Sequence, residues 1–261
     1  MSKLIKSIGV SAVALSTALY AASVSDGVSK DGIETSDLKN FSKVKLNTSS
    51  DIKITVGNDY SIEMTGDEDR IKDTELSVSN DTLIIKNKKR FLNFNNNDND
   101  MLITVTMPNI VSMQINGSGD GEIIGVNNKE LSLNINGSGD LNVSGKTEEL
   151  EISINGSGNI NMDEVIGKDV EIEINGSGDV ALGSGTCQKL EIEIHGSGDV
   201  DAKNLQCEDV DVDISGSGDS IVYASNSLTF DSYGSGNVDV YGKPKNVNDK
   251  TAKRNSRINI R

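Results

Sequence analysis

The tripeptide Gly-Ser-Gly recurs seven times in this chain, and it constrains the fold more than any other sequence feature. The copies begin at Gly117, Gly137, Gly156, Gly176, Gly196, Gly216 and Gly234. The interval between successive copies is nearly constant, at about 20 residues, which is within the range of solenoid repeats. A flexible Gly/Ser linker has neither a constant interval nor apolar residues between its glycines. The interval therefore indicates a solenoid, in which each repeat buries its apolar face against its neighbours.

Apolar and polar residues alternate on both sides of the tripeptide. In one unit Leu190, Ile192 and Ile194 precede the turn, and Val200 and Ala202 follow the turn. An alternation of period two indicates strands with one buried face. Because aromatic residues make up only 3% of the chain, we expect a thin core of Ile, Val and Leu. The sequence therefore predicts an all-β fold, a parallel β-solenoid (β-helix) with about 20 residues per rung, a rung being one turn of the solenoid.

Parallel stacking of rungs places equivalent residues about 4.8 Å apart, so that like side chains form ladders. The repeat predicts one ladder of polar residues immediately before the turns: Asn116, Asn136, Asn155 and Asn175, then His195, Ser215 and Tyr233 in the later rungs.

Cys187 and Cys207 are the two cysteines of the chain, and each occupies the same position relative to the Gly-Ser-Gly turn that precedes it. Stacked rungs bring their Cα atoms to about 4.8 Å, which is within the range that a disulfide spans. Since disulfides persist in oxidising compartments, we expect this bond in an exported chain. A pair of reduced, buried thiols is the alternative.

The start of the chain has the features of a secretory signal peptide. Lys3 and Lys6 precede an apolar stretch at 8–22 that ends in small residues. This stretch is shorter than the roughly 20 apolar residues of a membrane-spanning helix. We expect residues 1–22 to be a cleaved signal peptide and residues 23–37 to be a flexible segment, and an uncleaved N-terminal anchor is the alternative.

The rest of the chain is predicted to form one domain. Residues 38–242 are assigned to a single β-solenoid, with a strand-rich N-terminal cap and opening strands at 38–109 and the seven repeats at 110–242. Residues 243–261 carry mostly lysine and arginine among their charged side chains, and we expect this basic tail to close the solenoid.

Two hairpins are predicted within the cap. Alternating residues at 52–56 and 60–64 flank Gly57-Asn58-Asp59, and a second pair at 76–78 and 83–85 flanks Asn80-Asp81. Short runs of alternating apolar residues that are joined by such turn residues are typical of hairpins.

Several segments together resemble the GIN domain, a family described as an autotransporter adhesin head domain. They are the repeated Ile-Asn-Gly-Ser-Gly-Asp, the lead-in LKNFSKVKLNTSSDIKITV at 38–56, MLITVTMP at 101–108 and Tyr-Gly-Lys-Pro at 241–244. The resemblance covers residues 38–261. It implies a β-helical fold, export and an adhesive role, and it brings no catalytic residues.

Acidic residues recur at fixed positions in the repeat. The strand before the turn presents a column that includes Glu171, Glu191 and Asp211, and the turn itself presents a column that includes Asp179, Asp199 and Asp219. Stacked carboxylates repel one another, and oxygen ligands suit Ca²⁺, so these six residues are candidates for cation binding. In the alternative, the turn aspartates bond the backbone and the strand acids keep the surface solvated. We assign no firm metal site and no required cofactor.

An enzyme is the least favoured function class. Carboxylates one rung apart approach the separations that glycosidases use, but any acidic solenoid has such pairs. The one histidine of the chain, His195, lies in the polar ladder. We therefore predict no catalytic residues, and a polysaccharide lyase or hydrolase remains an alternative.

The net charge of −15 disfavours binding to nucleic acid and to anionic lipid. No segment after residue 22 is long and apolar enough for a membrane-spanning helix, so we expect no membrane insertion of the mature chain. The sequence predicts an exported, adhesin-like binding module of the cell envelope, located in the periplasm or at the cell surface, with a surface polymer or a protein as partner. A passive structural protein of the envelope is the alternative. Exposed aromatic side chains would favour a glycan, and the candidates are Phe91, Phe94, Tyr223 and Tyr233.

Overall fold

The computed structural model describes residues 38–88, 101–251 and 257–261, together with the backbone of 20–21 and 33–34. The predicted signal peptide and N-terminal segment otherwise lie outside the described residues, as do Phe91 and Phe94.

Nearly all of the described chain is strand. The part before the repeats forms β1 (Tyr20–Ala21), β2 (Ile33–Glu34), β3 (Lys43–Asn47), β4 (Asp51–Val56), β5 (Ser61–Gly66), α1 (Glu68–Asp73), β6 (Thr74–Ser79), β7 (Thr82–Asn87) and β8 (Met101–Met107). The remainder forms β9 (Ser112–Gly117), β10 (Gly121–Gly137), β11 (Leu141–Gly156), β12 (Ile160–Ile166), β13 (Asp169–Gly176), β14 (Val180–Gly196), β15 (Val200–Gly216), β16 (Ser220–Ser232), β17 (Val238–Gly242), β18 (Asn246–Asp249) and β19 (Ile258–Ile260). No helix in the described part of the chain is long and apolar enough to span a membrane.

The predicted parallel solenoid is confirmed. Each repeat pairs in parallel with the next, so that Val180 aligns with Val200 and Leu190 aligns with Val210. Two bands of strand, A and B, run along the molecule, and a third, shorter band (126–130, 145–149, 164–166, 185–189 and 205–209) joins them and holds the disulfide. Band A contains the segments that follow the turns (121–124, 141–144, 160–163, 180–183, 200–203, 220–223, 238–241 and 258–261). Band B contains the segments that precede the turns (112–116, 131–136, 150–155, 170–175, 190–195, 210–215 and 228–233).

The two bands share one apolar core. In one rung, Val180 and Leu182 of band A and Leu190, Ile192 and Ile194 of band B are all buried. The residues between them point outward, as the alternation of period two predicts. The outward positions of the two bands therefore carry the side chains that are available for function.

The first glycine of each turn is needed because neighbouring rungs approach closely at the corner. Gly176 has a φ of 145°, and a Cβ added there would lie 2.1 Å from the carbonyl oxygen of Gly156. A side chain at this position would therefore separate the rungs, and the positive φ is one that side chains rarely adopt. Glycine at the corner lets the same bend repeat from rung to rung.

One of the two predicted hairpins is confirmed and the other is wrong. β6 and β7 pair in antiparallel fashion, and Asn80 and Asp81 take the positive φ values of 49° and 63° that a tight hairpin turn requires. β4 and β5 do not form a hairpin, because β8 lies between them. β4 pairs in parallel with β8 and β10 as part of band A, which buries Ile52 and Ile54 in the common core.

The N-terminal cap contains one short helix that the sequence pattern does not predict. Asp67 caps α1 by accepting a hydrogen bond from the backbone N–H of Arg70 at 2.9 Å. Ile71 is the buried residue of this helix. α1 and the strands β5 to β7 cover the N-terminal end of the solenoid, which is how repeat proteins protect an otherwise open end.

Cys187 and Cys207 form a disulfide between two adjacent rungs. Their Cα atoms lie 4.4 Å apart, and both residues are buried. Their sequence separation is 20, so the bond closes one complete rung. The disulfide thus joins neighbouring rungs covalently within the core.

We predict that the Cys187→Ala, Cys207→Ala double variant unfolds with a free energy about 3 kcal/mol below that of the wild type, because an open loop of this length regains chain entropy in the unfolded state. Urea denaturation followed by circular dichroism measures this difference. Wild-type protein treated with a reductant is the matched control and should lose a similar amount. Equal unfolding midpoints for the oxidised and reduced proteins would contradict the prediction.

Candidate functional site

The turn aspartates form a continuous hydrogen-bonded ladder, which we call the turn column. The backbone N–H of Asp199 donates to Oδ1 of Asp179 at 2.8 Å, and the N–H of Asp219 donates to Oδ1 of Asp199 at 2.7 Å. The same bond recurs along the whole column, which consists of Asp51, Asp120, Asp140, Asn159, Asp179, Asp199, Asp219 and Asn237. Each carboxylate therefore satisfies a backbone donor of the next corner, which is a structural role.

The other acidic candidates lie on the outer face of band B. Glu171, Glu191 and Asp211 occupy aligned positions in successive rungs. A second column beside them contains Glu173, Glu193, Asp213 and Asp231. We call the side chains of these two columns the acidic face. At a rung spacing of about 4.8 Å, like charges in a column repel one another.

Two pKa shifts reflect the local fields at the acidic face. Partial burial, and then the charge of Asp231, raise the pKa of Asp213 above its ordinary value. The hydrogen bond from Lys189 to Glu191 raises the pKa of the Lys189 ammonium group, although burial opposes this shift. Lys189 forms an ion pair with Glu191, and the charges of Asp211 and Asp169 raise its pKa further. These shifts show that the carboxylates of the acidic face interact with one another and with Lys189.

The acids of the acidic face are not arranged to coordinate a metal ion. Within 38–88, 101–251 and 257–261, no group of three or more His, Cys, Asp or Glu side chains is arranged to hold a metal ion. The acids of band B lie along a line instead of converging on a point. The arrangement suits a diffuse layer of counterions better than a coordinated Ca²⁺.

The predicted asparagine ladder is confirmed and begins one rung earlier than expected. Nδ2 of Asn136 donates to Oδ1 of Asn116 at 2.9 Å, and Nδ2 of Asn116 donates to Oδ1 of Asn47 at 2.6 Å. The ladder continues through Asn155 and Asn175. His195 aligns with Asn175, and Ser215 aligns with His195, as the repeat predicts.

The outer face of band A carries aromatic side chains in the last rungs of the solenoid. Tyr223 aligns with Tyr241, and Tyr241 is 37% exposed. Tyr233 is 60% exposed but lies at the end of a band B segment, so it is not part of this pair. Tyr223 but not Tyr241 is among the aromatic candidates named from the sequence, although each lies seven residues after the first glycine of the preceding Gly-Ser-Gly turn.

Two ion pairs flank the tyrosines on band A. Lys203 pairs with Asp201 at 2.5 Å, and Arg261 pairs with Asp239 at 2.5 Å. Hydrogen bonds from Arg261 and from Asn259 lower the pKa of the Asp239 carboxyl group. These contacts hold the charged side chains of the last rungs against the strand surface.

Comparisons with known proteins agree with this architecture. The chain matches the model of a family described as "Putative auto-transporter adhesin, head GIN domain" over residues 40–183 and 136–244. No curated protein matches the chain.

Two solved structures of similar shape come from species of Parabacteroides. A "Putative lipid binding protein" from Parabacteroides distasonis is 23% identical with a TM-score of 0.76, and the match covers 88% of this chain and 96% of that chain. A "putative adhesin" from Parabacteroides merdae is 17% identical with a TM-score of 0.77, and the match covers 88% of this chain and 95% of that chain. At these identities the likeness shows the fold alone.

The turn column makes a prediction that separates a structural role from a cation site. Asp199→Ala removes the acceptor for the N–H of Asp219, so we expect the free energy of unfolding to fall by about 1 kcal/mol. Asp199→Asn retains an acceptor, as Asn159 does naturally, and it removes a repelling charge, so its stability should equal or exceed that of the wild type. Chemical denaturation of both variants measures the difference. A loss in the Asn variant as large as that in the Ala variant would show that the negative charge itself is required.

Proposed function

This chain belongs to the GIN-domain family, and from that premise we propose that it is an exported, non-catalytic binding module of the bacterial cell envelope. The observation that carries the proposal is the repetition of the same outward side chains over successive rungs. Glu171, Glu191 and Asp211 lie in equivalent positions along one face. Catalysis by carboxylates needs an unequal pair whose environments separate their pKa values, whereas repetition favours a contact that is distributed over a long surface.

Export is supported by the features at the start of the chain and by the disulfide. Lys3 and Lys6 followed by an apolar stretch are typical of a secretory signal. A disulfide between Cys187 and Cys207 persists in an oxidising compartment. The partner that fits is a polymer or a protein of a cell surface, because the net charge of −15 repels nucleic acid and anionic lipid.

We further propose that the acidic face makes this module sensitive to cations. The acids of each column lie one rung apart, and burial and the charge of Asp231 raise the pKa of the Asp213 carboxyl group. Cations that accumulate at the face relieve this repulsion, which is present only when the rungs are stacked. Folding and cation binding are therefore linked.

The first test concerns the compartment. In the native host, we expect a processed form that lacks about the first 22 residues to fractionate with the periplasm, the outer surface or the medium. Immunoblots of fractionated cells, with and without protease added to intact cells, distinguish these locations. A cytoplasmic marker protein is the control. Unprocessed chain in the cytoplasm alone would reject the proposed function.

The second test concerns cations. Millimolar Ca²⁺ should raise the free energy of unfolding relative to protein in chelator, because cations that accumulate at the acidic face relieve a repulsion that is present only in the folded chain. The Glu171→Gln, Glu191→Gln, Asp211→Asn triple variant should lose this gain. A matched triple variant of acids outside the acidic face, Glu148→Gln, Glu164→Gln and Glu208→Gln, should keep it. Calorimetric melts measure all three proteins, and identical melts of the wild type in Ca²⁺ and chelator would reject the cation effect.

A further inference from the structure

We propose that the outer face of band A, from the rung of Ala181 to the end of the solenoid, binds a linear, uncharged, β-1,4-linked oligosaccharide that lies along the solenoid axis. The inference rests on the binding function proposed above, for which it names a site and a class of ligand. The acidic face of band B is a separate surface and takes no part in it.

A shallow groove lies on band A at the rung where the outward side chains are smallest. Ala181 lies between Asn161 of the preceding rung and Asp201 of the following rung. A side chain at Gly183 has no room, because its Cβ would lie 2.0 Å from the carbonyl oxygen of Asp163. The groove that results has a volume of about 290 Å³. Its polar lining consists of Asn161, Asp163, Asp201 and Asn204, beside Ala181 and Gly183.

The polar lining of this groove matches the hydrogen-bonding groups of a sugar. A pyranose hydroxyl both donates and accepts hydrogen bonds. The amides of Asn161 and Asn204 also do both, and the carboxylates of Asp163 and Asp201 accept. A concave site with a few polar side chains is the usual form of a small-molecule subsite.

The aligned tyrosines add an aromatic platform further along the same face. The ring of Tyr223 reaches toward the next rung, where its Cε1 atom lies 3.1 Å from the position that a Cβ on Gly242 would take. Tyr241 is exposed in that next rung. The face of an aromatic ring carries negative charge, which attracts the polarised C–H groups on the flat side of a pyranose ring.

The distance between the groove and the tyrosines requires an extended ligand. The rung of Ala181 and the rung of Tyr223 are separated by the segment 200–203, so they lie two rungs apart, or about 9.6 Å. A pyranose residue is close in length to one rung. A chain that contacts the groove and both tyrosines therefore contains several sugars, and a β-1,4-linked chain has the flat, extended shape that a strand surface accommodates.

The charges of the face favour a neutral sugar. Lys203 and Arg261 are engaged with Asp201 and Asp239, so neither of these two cations is left to attract an anionic polymer. Asp163 adds a further negative charge at the groove. An acidic polysaccharide would be repelled both here and by the net charge of −15 on the whole chain.

The test measures binding of cellohexaose, chitohexaose and β-1,4-mannohexaose to the mature chain by saturation-transfer NMR and calorimetry. At least one should bind. Tyr223→Ala and Tyr241→Ala should each weaken that binding by about tenfold. Ala181→Lys fills the groove and should abolish binding while leaving the unfolding midpoint unchanged, since the aligned Asp201 and Ile221 show that this outward column accepts larger side chains.

Tyr233→Ala is the matched control, because it removes a more exposed tyrosine from band B, and it should bind like the wild type. Absence of saturation transfer from all three sugars at millimolar concentration would overturn the proposal. Sugar binding that is insensitive to the three variants would also overturn the proposal. Self-association of the chain that the same variants abolish would overturn it too, and would show that the face binds a second copy. If Ala181→Lys loses no sugar binding yet the chain still binds intact cells, the envelope-binding function stands and this site alone is rejected.

Discussion

The close stacking of one rung on the next is the interaction on which the rest of the structure depends. A Cβ at Gly196 would lie 2.0 Å from the carbonyl oxygen of Gly176, so a larger residue would force the corners apart and break the hydrogen bonds between rungs. With glycine at the corners, the rungs come into register. The asparagine ladder, the turn column and the disulfide then follow, because each consists of residues at one position of the repeat.

The same dependence explains which parts of the fold the sequence predicts. Asn175 and Cys187 each have an equivalent in the following repeat, so the interval alone identifies their neighbours. In the cap there is no such interval. The turn residues after Val56 correctly indicate that the chain changes direction, but they do not reveal that β8 inserts between β4 and β5. Local signals determine turns, whereas the pairing of distant strands is determined by burial of a shared core.

The candidate sites show a second limit of sequence reasoning. Asp199 is compatible with a turn residue or with a cation ligand, and its sequence position is the same in both cases. The hydrogen bond that it accepts from the N–H of Asp219 favours the structural role. Tyr241 is a different case, because it lies at the same position of the repeat as Tyr223, seven residues after the first glycine of the preceding turn, and the sequence alone was sufficient to identify it. The strand register places the two tyrosines side by side.

A perfectly repeated surface presents the same groups at every rung, so it offers a ligand no preferred position along the axis. The acidic face is close to such a repeated surface. A layer of mobile cations can form on it, because mobile cations need no fixed position along the axis. Selective binding of a defined molecule requires a place where the repeat changes. The outward side chains of band A change in this way along the axis. The small residue Ala181 lies in a groove, and the aligned Tyr223 and Tyr241 lie in later rungs. Departures from the repeat, more than the repeat itself, are therefore where specificity is expected to lie.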